Sequence, residues 1–269
     1  MTHTLLSLID FYLRADTINK VHSPFLYELI SKAFDMKKTY YADSRIEARR
    51  AELANRTDKV SFIDYGAKNK GDLKTVRVSK LMSSSVSNKW KCRFLRNLVL
   101  VYQPNHIIEF GTNLGISTAY LRSAKKKAQF TTVDAAEALV EIAQSNLKLL
   151  GYSADFRTMT FDDYIRKHPA ELTTCDFFYL DGDHSYEGTL RYFKTFWEAG
   201  PENMMIVLDD INWSLAMRRA WEEIKQYANC YSIDIYKMGI IVKRPDLRTS
   251  IHKKIVPRMM KPWQFGFFS

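Results

Sequence analysis

The chain has 269 residues with 46% hydrophobic content, enough for one α/β domain and a modest extra segment. Its formal net charge is +10, and its three cysteines (Cys92, Cys175, Cys230) are odd in number and form no CxxC pair, which excludes a disulfide scaffold and points to a reducing compartment, the cytoplasm. No apolar run approaches the ~18 residues of a membrane span, and the start lacks the basic-then-apolar pattern of a secretion signal.

Residues 4–14 read as a short amphipathic helix. His22-Ser23-Pro24 reads as a helix start, with Ser23 at N-cap and Pro24 at the first helical position, and the helix runs to about Phe34. A third helix, rich in Arg and Glu, covers roughly 44–56. A short strand fits 60–65, followed by a Gly/Lys-rich loop and a Ser-rich stretch without a clear assignment. Helical spacing returns at 89–102 and stops at Pro104. From 106 the rhythm is βαβ, with strands at 106–110, 128–134, 155–158, 175–181, 204–209, 231–237 and 239–244. Helices fall between them at about 115–124, 136–150, 161–168, 185–198 and 214–228. That alternation predicts a mainly parallel sheet covered on both faces. The last two strands are too close for a crossover helix, so they form an antiparallel hairpin.

The positive charge is uneven. Residues 66–93 carry eight Lys/Arg against the single acid Asp72, and 247–269 carry five with no acid. Such charge steers anionic partners. A nucleic-acid or lipid partner therefore stands against the plainer reading of a solvated basic surface, and no nucleic-acid recognition motif is present.

The strand 106–110 runs into Gly111-Thr112-Asn113-Leu114-Gly115, and the turn opens a helix. Ligands of open α/β sheets bind beyond such strand ends. Glycines let the backbone turn and approach a ligand, while Ser117, Thr118 and the free N–H groups of the first helical turn suit a carboxylate or phosphate. Asp134 lies 19 residues past Gly115 at the end of the next strand and suits ribose hydroxyls. Neither the dinucleotide pattern G-x-G-x-x-G nor a Walker lysine occurs, which disfavours a dehydrogenase and a phosphate-cargo loop. The competing reading is a purely structural glycine turn.

Two acidic loops follow buried strands: Asp181-Gly182-Asp183-His184 and Asp209-Asp210, the latter followed by Asn212 and Trp213. Clustered oxygen donors suit a hard divalent cation such as Mg²⁺. His184 is the natural proton acceptor, because imidazole titrates near neutrality. The competing reading has Asp181 and Asp209 capping loops and His184 as a structural hydrogen bonder. The aromatic tail from Trp263 to Phe268 suits packing on the protein or on a second subunit of a homodimer.

Together these residues resemble class I S-adenosylmethionine-dependent methyltransferases, in particular the catechol O-methyltransferase-like branch and its bacterial members that share the Asp181-Gly182-Asp183-His184 and Asp209-Asp210 patterns. The resemblance covers about 105–245 and extends to His22-Ser23-Pro24-Phe25. It implies an α/β, Rossmann-like fold with a seven-stranded sheet of order 3-2-1-4-5-7-6, ending in the antiparallel hairpin. In that frame 1–100 is an N-terminal helical or cap region, 101–245 the methyltransferase domain and 246–269 a basic, aromatic tail.

The resemblance also assigns roles. Glu109 opens the family's first motif, Gly111, Thr112 and Gly115 approach the methionine part of the cofactor, Ser117 binds its carboxylate and Asp134 its ribose. Thr160 and Phe161 flank the adenine. In metal-dependent members an Asp after strand four and an Asp-Asn pair after strand five hold Mg²⁺: Asp181 and Asp209 match, and Asp210 stands where the family has Asn. His184 stands in the place of the family's catalytic lysine. The implied function is methyl transfer from S-adenosylmethionine to an oxygen of a small hydroxylated molecule. The alternatives are a methyltransferase for RNA or another large anion, and a non-catalytic module that binds the cofactor.

Overall fold

The computed structural model describes residues 2–66, 71–227 and 229–263. Most of the Gly/Lys-rich loop and the aromatic run 264–268 lie outside the described residues. The first third of the chain forms α1 (Thr2–Arg14), a 3-10 turn (Ile18–Lys20), α2 (Pro24–Ala33), α3 (Tyr41–Ala54), β1 (Lys59–Asp64), β2 (Asp72–Arg77), α4 (Val78–Ser84) and α5 (Lys89–Tyr102). Next come β3 (His106–Phe110), α6 (Ile116–Ala124), β4 (Gln129–Asp134), α7 (Glu137–Leu150), β5 (Asp155–Thr158), α8 (Phe161–Lys167) and α9 (Pro169–Thr174). The remainder is β6 (Phe177–Leu180), α10 (Tyr186–Ala199), β7 (Met204–Asp209), α11 (Leu215–Ile224), β8 (Cys230–Asp234), β9 (Met238–Lys243), β10 (Ile251–Lys254) and a second 3-10 turn (Arg258–Met260).

The chain divides into two compact units, one of 32–172 and one of 1–31 with 173–269. This division cuts through the helical region expected at 1–100 and gathers the tail with the second unit.

In the 32–172 unit, β3, β4 and β5 pair in parallel, with Glu109 opposite Thr132 and Val133 opposite Arg157. All five residues of β3 are buried, as a strand covered on both faces requires. One apolar cluster joins Ile46 and Leu53 of α3, Val60 of β1, Leu81 of α4 and Cys92 of α5 to Ile116, Tyr120, Leu139 and Leu147 of α6 and α7. Helices α3, α4 and α5 thus share a core with the glycine turn, through Leu114. The strand expected at 60–65 is the first arm of an antiparallel ribbon, β1 with β2, which places Lys59 opposite Arg77 and Ile63 opposite Leu73. Helix α5 begins at Asn88, whose side chain accepts the Lys91 amide at 2.9 Å, and ends at Gln103 in the left-handed region.

In the other unit the strand order is β10-β8-β9-β7-β6. β6 and β7 are parallel, while β9 runs antiparallel to both β7 and β8. The hairpin expected near 231–244 is present and turns through Tyr236 at φ 71°. Gly239 is placed by packing: a Cβ there would stand 2.5 Å from the buried Trp221 ring of α11. The tail supplies β10, an edge strand parallel to β8 that the expected seven-stranded sheet does not contain.

Candidate functional site

The glycine turn is a run of left-handed residues: Gly111 at φ 105°, Asn113 at 46° and Gly115 at 75°. Gly115 also answers to packing. A Cβ there would meet the Ala143 Cβ at 2.9 Å and the Leu147 Cδ1 at 3.1 Å, so a bare backbone is what lets α6 start against α7. Asn113 donates its side-chain amide to the Ser85 carbonyl at 3.1 Å, and its own Oδ1 is buried with no hydrogen-bond partner.

Glu109 is wholly buried at the end of β3. Ser117 donates to its Oε1 at 2.6 Å, and Thr118 and Thr132 donate to its Oε2 at 2.5 and 2.8 Å. Thr132 has spent its one proton there, so Thr112 donates to Thr132 at 2.6 Å. Burial pushes the Glu109 carboxyl up to about 7, against the three hydroxyls that favour its charged form. Ser117 and Thr118 therefore direct their hydroxyls at Glu109 rather than outward from the first turn of α6. What they leave at the turn is backbone N–H.

Asp134 closes β4 and is pinned by the turn itself. Its Oδ2 accepts the Asn113 amide at 2.9 Å and its Oδ1 the Ala136 amide at 3.0 Å. Burial raises its pKa, and these amides oppose the rise. The Thr112 amide also bears on the carboxylate, which leaves part of its accepting capacity for a ligand hydroxyl. Thr160 is the N-cap of α8 and accepts the Asp163 amide at 3.1 Å. Phe161 stacks on Phe110 with ring centroids 4.4 Å apart. Glu109, Gly111, Thr112, Gly115, Ser117 and Asp134 thus form one bonded or adjoining group at the ends of β3 and β4, with Phe161 reaching it through Phe110.

The acidic loops follow β6 and β7. The Tyr179 hydroxyl bonds both the Asp181 carboxylate at 3.0 Å and the Asp209 carboxylate at 3.2 Å. Asp209 is almost fully buried, and its other oxygen accepts the Asp210 amide at 2.8 Å. Asp210 itself is left-handed at φ 50°. The His184 Nε2 stands 3.8 Å from the Asp181 Oδ1, and its ring lies 5.7 Å from that of Trp213. Among the described residues, no three His, Cys, Asp or Glu side chains form a set able to hold a metal ion. Of the expected cation ligands, Asp181 and Asp209 share the Tyr179 hydroxyl, and Asp209 also accepts the Asp210 backbone amide. Sequence reading passed over Tyr179, although it sits two residues before Asp181 and so shares its side of the strand. It passed over Thr132 too, which faces Glu109 across the ladder.

Residues 108–211 match the family model described as a methyltransferase domain. That segment of the chain is thus similar to a methyltransferase domain. The matched segment begins inside β3 and ends just past Asp210, so both the glycine turn and the two acidic loops fall within it. The O-methyltransferase hkm8 of Aspergillus hancockii is 27% identical over 136 residues, which is 49% of this chain and 54% of that protein. The chain thus spans about half the length of the curated relative it matches. The crystal structure of the O-methyltransferase from Bacillus cereus in complex with SAH aligns at TM-score 0.54 and 17% identity, over 82% of this chain and 100% of the other. That of the O-methyltransferase TomG from Streptomyces achromogenes, in complex with SAM, aligns at TM-score 0.53 and 13% identity, over 81% and 95%. At such identities the likeness is one of fold, and that fold is Rossmann-like α/β.

Proposed function

We propose that this chain moves a methyl group from S-adenosylmethionine to an oxygen of a small hydroxylated acceptor, in the manner of catechol O-methyltransferase-like enzymes. The observation that carries the reading is the extent of the methyltransferase domain, which encloses a glycine turn pinned by Asp134 and an acidic loop with a histidine beside Asp181. When bound, the cofactor supplies an electrophilic methyl on a positively charged sulfur. The chain's own residues do the rest. The left-handed turn 111–115 leaves backbone close to the ligand, and Asp134 accepts from ribose hydroxyls with its remaining lone pairs. Glu109 acts at one remove: it anchors Ser117 and Thr118 so that the N–H groups of the first turn of α6 meet the cofactor's carboxylate. Phe161, stacked on Phe110, forms a flat wall for the adenine together with Thr160.

On the acceptor side, His184 takes the hydroxyl proton. With Nε2 turned to Asp181, Nδ1 is the nitrogen left to receive it, and the carboxylate stabilises the imidazolium that forms. Tyr179 holds Asp181 and Asp209 in place by sharing one hydroxyl between them. A divalent cation is not part of this scheme, because its expected ligands are not assembled as a donor set among the described residues. The three cysteines are free and buried, which supports a reducing, cytoplasmic setting. The protein's test is turnover with a panel of catechols, read as release of S-adenosylhomocysteine. His184→Gln and Asp181→Asn should each lower kcat by about 10²–10⁴, with S-adenosylhomocysteine affinity unchanged by calorimetry. EDTA should leave the wild-type rate unaltered. Wild-type rates in both variants would remove the assignment of the base, and loss of activity in EDTA restored by Mg²⁺ would return the carboxylates to metal binding.

A further inference from the structure

Six large apolar side chains are exposed on α1 and on the turn that follows β10. Leu8, Ile9 and Leu13 lie on α1; Met259, Met260 and Trp263 lie in and after the second 3-10 turn. The helix is unusual in having two apolar stripes. Ser7 and Phe11 face the protein and are buried, while Leu8, Ile9, Tyr12 and Leu13 fall on a second face by their i, i+1, i+4, i+5 spacing. The tail is held against this second face. The Tyr12 hydroxyl donates to the Met260 carbonyl at 2.6 Å, and the buried Lys261 ammonium donates to the Ala15 and Leu13 carbonyls at 2.5 and 3.3 Å while lying 4.9 Å from the Tyr12 ring centre. Leu13 at 71%, Met259 at 84% and Trp263 at 67% exposure are thus gathered at one place rather than scattered. Single exposed apolar residues mean little, whereas a grouped set marks an interaction surface.

The charges around it are of one sign in the tail and mixed on the helix. Arg14 and Lys20 are largely exposed, each near an aspartate, and residues 247–269 carry Arg248, Lys253, Lys254 and Arg258 besides the buried Lys261, with no acid, Lys253 lying 3.7 Å from Asp16. We propose that this face docks on the surface of an anionic lipid bilayer, with Leu13, Met259, Met260 and Trp263 entering the interface and the basic residues meeting the headgroups. Apolar side chains backed by Lys and Arg are what binds a helix in the plane of such a surface. The two other occupants fit less well. A second copy would set the acid-free tail against its own equivalent and repel it. Nucleic acid is gripped through stacked aromatic rings and hydrogen bonds, and five of the six exposed apolar side chains are aliphatic or thioether.

The experiment is co-sedimentation of the full chain with phosphatidylcholine vesicles, with and without phosphatidylglycerol. Binding is expected on the anionic vesicles, weak on pure phosphatidylcholine, and released as sodium chloride rises. The pair Leu13→Glu with Met259→Glu alters only exposed positions, so the thermal midpoint should hold while vesicle affinity falls by roughly tenfold or more. S-adenosylhomocysteine affinity, measured on the same samples, should not change, which separates this proposal from the methyltransferase reading. No binding to anionic vesicles, equal binding to neutral ones, or full binding by the double variant each overturns the proposal. So does a dimer in sedimentation velocity that the double variant converts to monomer, which would give the face to a second copy, or release of the chain from vesicles by RNA competing for the same substituted residues.

Discussion

At Gly115 two demands fall on one residue. The backbone is left-handed at φ 75°, and a Cβ would press on Ala143 at 2.9 Å and Leu147 at 3.1 Å in α7. Gly115→Ala should therefore cost about 1–3 kcal/mol, from overpacking and from strain at positive φ. It should also weaken S-adenosylhomocysteine binding, because relief of the clash moves the first turn of α6. Urea unfolding and calorimetry on one preparation test both, and lost affinity at full stability would make the glycine a ligand contact alone. Tyr179 is a second residue whose role is specific. Tyr179→Phe leaves the buried Asp209 carboxylate with one fewer donor and unties it from Asp181. A loss of about 1–3 kcal/mol is expected in urea unfolding. Turnover should fall with it, since Asp181 would no longer be fixed beside His184. Unchanged stability and turnover would show the shared hydroxyl to be incidental.

Helix α5 shows how an element is held by charge as well as by apolar packing. Arg96 is buried on α5 and pairs with Asp43 of α3, while its guanidinium also bonds Asn97 and lies over the Tyr40 ring. Asn97 in turn donates to the Ala33 and Asp35 carbonyls, both at 3.1 Å, and Arg93 reaches the Met36 and Lys38 carbonyls. Asp43→Ala strands a buried cation, so a loss of about 3–5 kcal/mol is expected, and Asp43→Leu with Arg96→Met should recover much of it. A cost below 1 kcal/mol in urea unfolding would mean that Asn97 and Tyr40 suffice. None of this network was visible in the sequence, where 44–56 read only as a helix rich in Arg and Glu. What was legible came from periodicity and local chemistry: the βαβ rhythm after 106, the cap at Ser23, and the glycine turn with Asp134. What was not legible depends on distant partners. β10 is four residues, Ile-His-Lys-Lys, and is a strand only because β8 lies beside it. β2 and α4 pass through polar, lysine-rich sequence whose apolar residues gain meaning only against α3 and α7. The acidic loops were legible as carboxylates and a histidine, but the hydroxyl between them was hidden in a buried strand, where tyrosine reads as packing.

For the molecule as a whole, buried acids set the response to pH. Glu109 is raised from 4.5 to about 7 and Asp234 from 3.8 to about 6, both mainly by burial, and Asp134 is raised in the same way. The folded chain therefore keeps protons that the unfolded chain has released. Folding is then favoured at low pH, and stability falls as pH rises from about 4 to about 7, with no further change above it. Asp58, Asp163, Glu223 and Asp246 act in the opposite sense. Their pKa values are lowered, chiefly by hydrogen bonds from Arg56, Arg166, Tyr186 and Arg244, so their contribution is present above their unfolded values and is lost in acid. They are half-exposed to exposed, and water screens them. The two sets place the thermal midpoint at its highest near pH 5, declining to a plateau above pH 7. Glu109 is the largest single share. A rise from 4.5 to about 7 corresponds to roughly 3 kcal/mol between its protonated and ionised limits. Glu109→Gln keeps one acceptor for the three hydroxyls and removes the ionisation, so calorimetric scans of the variant should decline less between pH 5 and 7 than those of the wild type, the remaining slope coming from Asp234 and Asp134. If the wild-type midpoint instead climbs steadily from pH 5 to 8, then Ser117, Thr118 and Thr132 hold Glu109 ionised in the folded protein, and the anchor of the first turn of α6 is a charged one throughout.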